Sequence, residues 1–201
     1  MNSEQKIKNK KPDIRRLEDM KGVLHSKEWA KKAPNFELYY MYRGIEEKDN
    51  LRYDITVIPP RTLGNEFVKT KGHEHCHNFQ ELYTVLEGEA IFLMQKQQNK
   101  ETGKIIIIED VFTVKAKQNE SVIVPPGYGH VTINPGNTEL KLSNWVSKKC
   151  LSDYKVFEKL QGACYYYTKS GWIKNKNYAK VPDLRFEEPL KSVPTDLSFL
   201  N

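Results

Sequence analysis

Four of the five histidines in this 201-residue chain lie in two short windows, and their spacing is the chemical feature that stands out. The first window holds His73 and His75 and is followed by Glu81, and the second ends in His130 after a Pro-Gly turn. Residues two apart in a strand face the same side, so His73 and His75 should point together. Imidazole nitrogens and a carboxylate oxygen suit a divalent transition metal, and such a set leaves coordination positions open for catalysis. We therefore predict a metal centre.

The residues next to these predicted ligands are expected to have structural or surface roles rather than to bind a metal. An isolated His-x-His is usually just a polar stretch of surface, and only its conjunction with Glu81 and His130 favours a metal. His77 continues the alternation but lies where the chain must leave the strand, so we expect it behind the ligands or at the surface. The side chains of Glu74 and Cys76 should point away from the metal.

An all-β domain is expected to position these residues. From residue 36 onward, aromatic and β-branched segments alternate with turn signals, which is typical of an antiparallel sandwich or barrel. Strands are predicted at 37–44, 51–60, 81–88, 90–97, 104–116, 121–127, 130–136, 140–147 and 163–171. We divide the chain into an N-terminal arm (1–35) with short helices at 15–24 and 26–33, a barrel domain (36–180) and an irregular C-terminal tail (181–201) packed on the surface or on a partner.

Composition and charge narrow the function classes. The 32 basic and 26 acidic residues give a net charge of +6, but the excess is spread along the chain, which disfavours nucleic-acid binding. No apolar run approaches the roughly 20 residues that span a membrane, and the N-terminus lacks a secretory signal. The three cysteines fit neither a disulfide framework nor a zinc motif. We expect a cytoplasmic protein without membrane or nucleic-acid partners.

The two histidine windows resemble the paired motifs of the cupin superfamily, over roughly residues 50–145. The resemblance implies a double-stranded β-helix, or jelly-roll barrel, with a short helical segment before it. It also implies that one divalent metal ion is held by four ligands: His73, His75, Glu81 and His130.

A closer resemblance is to the archaeal, cupin-type glucose-6-phosphate isomerases. It is carried by TKGHEH at 70–75, ELY at 81–83, LEG at 86–88, VIVPPGYGHVTINPG at 122–136, and RRLEDMKG at 15–22. The family implies a metal-dependent aldose-ketose isomerase that interconverts glucose 6-phosphate and fructose 6-phosphate through an enediolate, with Glu81 as catalytic base. Fe, Mn, Ni and Zn all suit the ligands. A homodimer is implied too, in agreement with aromatic stretches at 39–42 and 165–167.

The resemblance also implies a substrate site, whose two ends differ. The positions matching the family's phosphate site are Thr56, Thr70, Gly72 and Tyr83, and all offer hydrogen-bond donors to an oxyanion. At the sugar end the family commonly has Tyr-Pro and then His-Asp-Tyr. This chain has Val146-Ser147 and Ser152-Asp153-Tyr154, so only Tyr154 matches there.

Three questions stay open at this point. A cupin dioxygenase could use the same ligand set, and a non-catalytic phosphosugar-binding cupin would agree with the changes at Val146 and Ser152. A metal-assisted hydride shift is an alternative to proton transfer by Glu81.

Overall fold

The computed structural model describes residues 5, 7, 8, 10–98 and 105–200, and strands dominate them. The strands are β1 (Asp13–Arg16), β2 (Glu37–Lys48), β3 (Leu51–Ile58), β4 (Thr62–Leu63), β5 (Glu66–Phe67), β6 (Glu74–His75), β7 (Glu81–Glu87), β8 (Glu89–Gln97), β9 (Ile108–Lys117), β10 (Ser121–Val124), β11 (Tyr128–Ile133), β12 (Leu140–Ser147), β13 (Ser152–Asp153), β14 (Tyr165–Thr168), β15 (Gly171–Lys174) and β16 (Arg185–Glu187). This architecture confirms the all-β class.

Two sheets make up most of the barrel. Across the described residues, the larger sheet has the strand order β1-β2-β3-β12-β7-β10, and the second has β11-β8-β9-β16. The sheets share one hydrophobic core, in which the Tyr83 ring of β7 lies 5.2 Å from the Phe92 ring of β8. Burial of such large apolar side chains is the main term that stabilises the barrel.

Alternation of side chains explains why the predicted strands form. Along β3 and β12 the residues alternate between the two faces of the sheet, and both faces are largely covered. The turn from β7 into β8 uses Gly88 with φ of +82°, where a Cβ would stand 2.8 Å from the backbone oxygen of Glu139. Any other residue at position 88 would therefore have an unfavourable backbone conformation, and its Cβ would clash with the Glu139 backbone.

The N-terminal arm differs from the prediction of a helix over 15–24. Residues Asp13–Arg16 of the arm form β1, which pairs with β2 and places Arg15 opposite Tyr39. The exposed edge of β2 offers unpaired backbone groups, and pairing with it outweighs the weak helical preference of four residues. A short helix α1 (Leu17–Met20) and a 3₁₀ turn (Lys21–Val23) follow.

The second predicted helix is confirmed as α2 (Lys27–Lys32). Its N-cap is Ser26, whose side chain accepts a hydrogen bond from the Trp29 amide at 3.2 Å. That bond satisfies one of the free amides of the first turn. Across the described part of the chain, no helix is long and apolar enough to cross a membrane.

The structure adds elements that were not predicted. Helix α3 (Lys155–Lys159) lies beside the histidine motifs, and a 3₁₀ turn (Ser198–Leu200) buries Leu200. The tail was expected to be irregular, but it contributes β16, which pairs parallel with β9. Hydrogen bonds between Leu190 and Ser121, 2.8 Å in each direction, fix the tail further. The division at residues 35 and 180 stays a prediction, since residues of the arm pack into the common core.

Candidate metal centre

Three chain segments bring the predicted metal ligands together. The His73 amide donates to the His130 carbonyl at 3.2 Å, and the His130 amide donates to the His73 carbonyl at 2.9 Å. This pair of bonds joins the two motifs directly, while Glu81 enters from the first residue of β7. One nitrogen or oxygen of each of His73, His75, Glu81 and His130 lies within 4.8 Å of the others. The four predicted ligands therefore form one cluster.

Hydrogen bonds orient two of these ligands. His75 Nδ1 lies 2.8 Å from the Phe79 carbonyl, so Nδ1 carries a hydrogen and Nε2 is the ring atom that faces the cluster. Asn144 donates to Glu81 Oε1 at 2.6 Å. Glu81 Oε2 then lies 3.3 Å from His75 Nε2 and 3.4 Å from His130 Nε2. The carboxylate oxygen that is not bonded to Asn144 therefore faces His75 and His130.

The donor set fits a divalent metal ion. Within the described residues, Glu81 Oε2 is buried and has no hydrogen-bond partner. A buried carboxylate oxygen without a partner is costly, and a cation among the four donors would remove that cost. Three imidazoles and one carboxylate suit Fe, Mn, Ni or Zn, rather than the all-oxygen preference of Mg²⁺ or Ca²⁺.

Electrostatics favour neutral rings at two ligands. Burial, helped by the nearby His75, lowers the pKa of His73 to about 3. Burial also holds the pKa of His130 well below its usual value. Both rings are neutral at pH 7 and keep a lone pair for a metal.

His75 behaves differently. Burial lowers its pKa, but interactions with the side chains of Cys150 and Glu81 outweigh burial and raise the pKa to about 11. Without a metal, a proton on His75 therefore offsets the charge of Glu81. A metal ion would take the place of that proton.

A pocket opens onto the cluster and is lined by the residues predicted to bind substrate: Thr56, Thr70, Gly72, Tyr83 and Tyr154. Thr70 Oγ1 accepts a hydrogen bond from the Thr132 amide at 2.9 Å, which leaves its hydroxyl hydrogen free to be donated. The Tyr83 hydroxyl lies 3.2 Å from His130 Nε2, close to the metal ligands. The contacts of these residues with substrate stay predictions.

The positions that depart from the family pattern face this pocket as well. Ser152 pairs with His75 across β13 and β6, and Val146 pairs with Glu81 across β12 and β7. Both residues line the pocket. Tyr154, which matches the pattern, has its ring 5.6 Å from the His73 ring. The end of the pocket expected to hold the sugar is therefore lined by smaller side chains than the family pattern has at these positions.

Asn144 and Tyr39 are among the pocket residues that were not predicted from the sequence. Asn144 holds Glu81, and the Tyr39 hydroxyl accepts a hydrogen bond from the Lys71 amide at 3.1 Å. Asn144 lies two residues before Val146 on the same face of β12, so alternation alone would have placed it there. No comparable local signal marks Tyr39, which lies among other aromatic residues in β2.

Helix α3 closes the site from behind through Phe157, which is fully buried. A Cβ on Gly72 would lie 2.5 Å from the Phe157 ring, and one on Gly129 would lie 2.9 Å from it. These glycines precede His73 and His130 in the two motifs. The absence of a side chain at both glycines lets Phe157 pack directly on the backbone that carries the metal ligands. Gly72 therefore has a structural role in addition to the predicted contact of its amide with the substrate phosphate.

Residues next to the ligands point elsewhere. Glu74 lies on the far side of the motif and accepts a hydrogen bond from the Gln97 side chain. His77 is exposed, and Cys76 is an exposed free thiol. His77 thus lies at the surface, one of the two positions expected of it.

A family model described as glucose-6-phosphate isomerase (GPI) matches residues 14–183, most of the chain. The chain belongs to the cupin-type glucose-6-phosphate isomerase family. A glucose-6-phosphate isomerase of Thermococcus litoralis is 35% identical over 138 residues, covering 65% of this chain and 67% of that protein. One from Pyrococcus abyssi is 30% identical over 137 residues, with the same coverage of 65% and 67%. The family resemblance seen in the sequence is confirmed.

Solved structures also match. One described as a predicted oxalate decarboxylase from Thermotoga maritima has a TM-score of 0.43 and 19% identity, over 69% of this chain and 92% of that chain. A protein from Shewanella frigidimarina that contains a cupin-2 domain has a TM-score of 0.35 and 15% identity, over 53% of this chain and 78% of that chain.

Proposed function

We propose that this chain is a metal-dependent isomerase that interconverts glucose 6-phosphate and fructose 6-phosphate. The observation that carries the proposal is the cluster of His73, His75, Glu81 and His130 at the wall of a pocket, in a member of this isomerase family. Open-chain sugar in this pocket would place its carbonyl end at the cluster and its phosphate toward Thr56 and Thr70.

The chemistry needs charge stabilisation and a group that moves a proton. A divalent metal bound here supplies a Lewis acid for the negative charge that develops on the sugar oxygens. Glu81 removes the proton from C2 of the aldose and returns it to C1, while O1 gains a proton and O2 loses one. Asn144 keeps the carboxylate in one orientation throughout.

The remote phosphate would hold the reacting end in place. Thr56, Thr70, Gly72 and Tyr83 are the donors we assign to it, and Tyr154 is assigned to the sugar. The free hydrogen of Thr70 supports this assignment, since its oxygen already accepts from the Thr132 amide. Binding energy gained at the phosphate contributes orientation at C1 and C2.

A non-catalytic phosphosugar-binding role is favoured by one observation. Val146 and Ser152 line the pocket where the family pattern has an aromatic residue and a histidine. Turnover itself therefore needs a test, because the ligand and phosphate positions would serve binding equally well.

We also propose a homodimer, and the support is the family resemblance. In the aromatic stretches, Tyr39, Tyr165 and Tyr166 do not add to that support, since they are buried within this chain. Tyr167 stacks on Phe67 of the same chain with ring centroids 5.3 Å apart. Light scattering of the full chain would measure the mass directly.

The test of the function is a coupled isomerase assay with fructose 6-phosphate, on protein loaded separately with Fe, Mn, Ni or Zn. The proposal predicts turnover with at least one metal, without oxygen consumption. Sugar phosphate binding without turnover under every metal would favour the binding role, and oxygen uptake with a substrate would favour a dioxygenase.

A further inference from the structure

A row of three residues crosses the pocket wall from the metal cluster to strand β3. Val146 in β12 lies opposite Glu81 in β7 on one side and opposite Arg52 in β3 on the other. Residues that pair directly across strands share a face of the sheet, and all three of these residues line the pocket. Arg52 is therefore two strands away from Glu81, or about 10 Å between Cα atoms at the usual spacing of strands.

A buried carboxylate orients the Arg52 side chain on this wall. Arg52 Nε donates to Asp54 Oδ2 at 2.9 Å, and Asp54 Oδ1 accepts from the Gly44 amide at 2.7 Å. Gly44 has φ of +61° and lies in an irregular stretch of β2, where the pairing register shifts between Tyr42 and Glu46. Such an irregularity frees a backbone amide from the ladder, and here the amide binds Asp54. Asp54 is thereby fixed and can hold Arg52 in one orientation.

The bond to this carboxylate leaves most of the Arg52 donors unused. A guanidinium carries five N–H donors, and within the described residues the two Nη groups of Arg52 have no hydrogen-bond partner. The side chain is 26% exposed. Arg43 and Lys71 also line the pocket, but Arg43 Nε is bonded to Asp13 at 3.2 Å. The Lys71 ammonium is paired with Glu158 at 2.6 Å. Of these three cations, Arg52 therefore offers the most complete set of donors.

The Arg52 guanidinium lies between the two ends of the proposed substrate. The row that contains Glu81 crosses β3 at Arg52, whereas Thr56, a predicted phosphate donor, is four residues further along the same face. Asp54 lies midway between them, and its bond with Nε draws the guanidinium toward Thr56. An open-chain sugar that runs from the metal cluster to the phosphate donors would pass Arg52 with its middle hydroxyl groups.

Val146 leaves room for this contact. It lies directly between Arg52 and Glu81, and its side chain is small and has no hydrogen-bonding atom. The larger aromatic side chain that the family pattern has at this position would occupy the path from Arg52 to the sugar. The guanidinium is thus placed to supply hydrogen bonds that Val146 does not offer.

We infer that Arg52 is a substrate-binding residue that donates hydrogen bonds to the hydroxyl groups in the middle of the sugar chain, with Asp54 as the residue that positions it. This inference rests on the proposed function, because it takes the occupant of the pocket to be an open-chain sugar phosphate. It assigns the recognition of the hydroxyl groups to β3, outside the two histidine motifs.

The first measurement compares two phosphates of equal carbon chain length, glucitol 6-phosphate with hydroxyl groups and hexyl phosphate without them. Both are titrated calorimetrically into full-length protein loaded with one divalent metal, and neither has a carbonyl group to isomerise. Arg52→Gln should weaken binding of glucitol 6-phosphate roughly tenfold or more, the scale of lost charged hydrogen bonds, and that of hexyl phosphate much less. An equal loss for both phosphates, or no loss for glucitol 6-phosphate, would overturn the inference.

The matched control is Arg16→Gln. Arg16 is exposed and pairs with Glu37 at 2.7 Å, so its replacement removes the same charge without touching the pocket wall. The Arg16→Gln protein should bind both phosphates as the unchanged protein does. A loss for glucitol 6-phosphate as large as in Arg52→Gln would reduce the effect to net charge and overturn the inference.

The second measurement tests whether Arg52 reaches the sugar past Val146. Val146→Tyr should weaken binding of glucitol 6-phosphate, because the ring fills the path of the guanidinium. In an Arg52→Gln background the same substitution should cost much less, since neighbouring residues that act on one ligand are not additive. Fully additive losses in the double variant would contradict contact along this path.

A third comparison addresses folding. Should Arg52→Gln fail to fold, Arg52→Lys keeps a positive charge beside Asp54 but loses the fork of Nη donors. The Arg52→Lys protein should then show the selective loss for glucitol 6-phosphate. Affinity for glucitol 6-phosphate equal to that of the unchanged protein would overturn the inference.

The outcome for Arg52 is distinguishable from that of the proposed function. Binding of glucitol 6-phosphate that depends on Arg52, in a protein without isomerase activity under any metal, would support the inference and reject the proposed function. Isomerase activity together with binding that does not depend on Arg52 would reject the inference and support the proposed function.

Discussion

Asn144 donates its side-chain amide to Glu81 Oε1 at 2.6 Å and thereby turns the other carboxylate oxygen toward His75 and His130. The two residues come from adjacent strands, with Asn144 opposite Tyr83, two positions after Glu81 in β7. Such partners of a metal ligand set its orientation and its affinity for the ion.

Replacing Asn144 by alanine should therefore weaken metal binding. We expect a loss of about 10- to 100-fold, the range measured when a partner of a metal ligand is removed. Competition with a chelator of known affinity measures the loss, and Asn177→Ala, at an exposed position, is the control. An unchanged metal affinity of the Asn144→Ala protein would show that Glu81 does not need the hydrogen bond from Asn144 to bind the metal.

Glu81 should matter more for turnover than the other carboxylate of the motif. If Glu81 moves the proton, Glu81→Gln should lower kcat by at least about 100-fold, even in samples shown to retain metal. Glu74→Gln is the control, since Glu74 bonds to Gln97 on the far side. Steady-state assays on samples of measured metal content provide the comparison. A similar loss of kcat in Glu81→Gln and Glu74→Gln would contradict the assignment of Glu81 as the catalytic base.

Thr70→Val should weaken binding of fructose 6-phosphate. Loss of a hydroxyl that donates to a charged oxygen costs about 1.5–3 kcal/mol, or roughly 10- to 100-fold in affinity, while metal content should stay the same. Some stability should be lost too, because the Thr132 amide loses its partner. Calorimetric titration compares the binding of fructose 6-phosphate with that of free fructose. Equally tight binding of the two sugars to the unchanged protein would contradict a phosphate-binding site at Thr70.

Metal affinity should rise with pH. Metal binding needs His75 without its proton, and in the metal-free protein the pKa of His75 is raised to about 11 by its partners. Below that pH the proton competes with the metal, so affinity should increase up to about tenfold for each pH unit. Calorimetry in buffers of different ionisation enthalpy should detect about one proton released per metal at pH 8. No proton release would contradict the protonated state of His75.

Much of the site could be predicted because its signals are local. His73 and His75 are two residues apart, and alternation along a strand is enough to place them on one face. The long strands β3, β8 and β12 were also predictable from local sequence, since each is a strand-length segment rich in apolar residues.

The missed features depend on contacts between distant parts of the chain. Helix α3 has five residues, too few for a helical period to show, and it is held by Phe157 packing on Gly72 and Gly129. Strand β1 exists because the edge of β2 is available, which a propensity for residues 15–24 does not reveal.

The most direct test of the account is the dependence of isomerase activity on one metal ion per chain. Protein treated with a chelator, and shown by elemental analysis to be metal-free, should lose conversion of fructose 6-phosphate to glucose 6-phosphate. Addition of one equivalent of the active metal should restore it, and His130→Ala should prevent restoration. Full turnover by the metal-free protein would contradict the account.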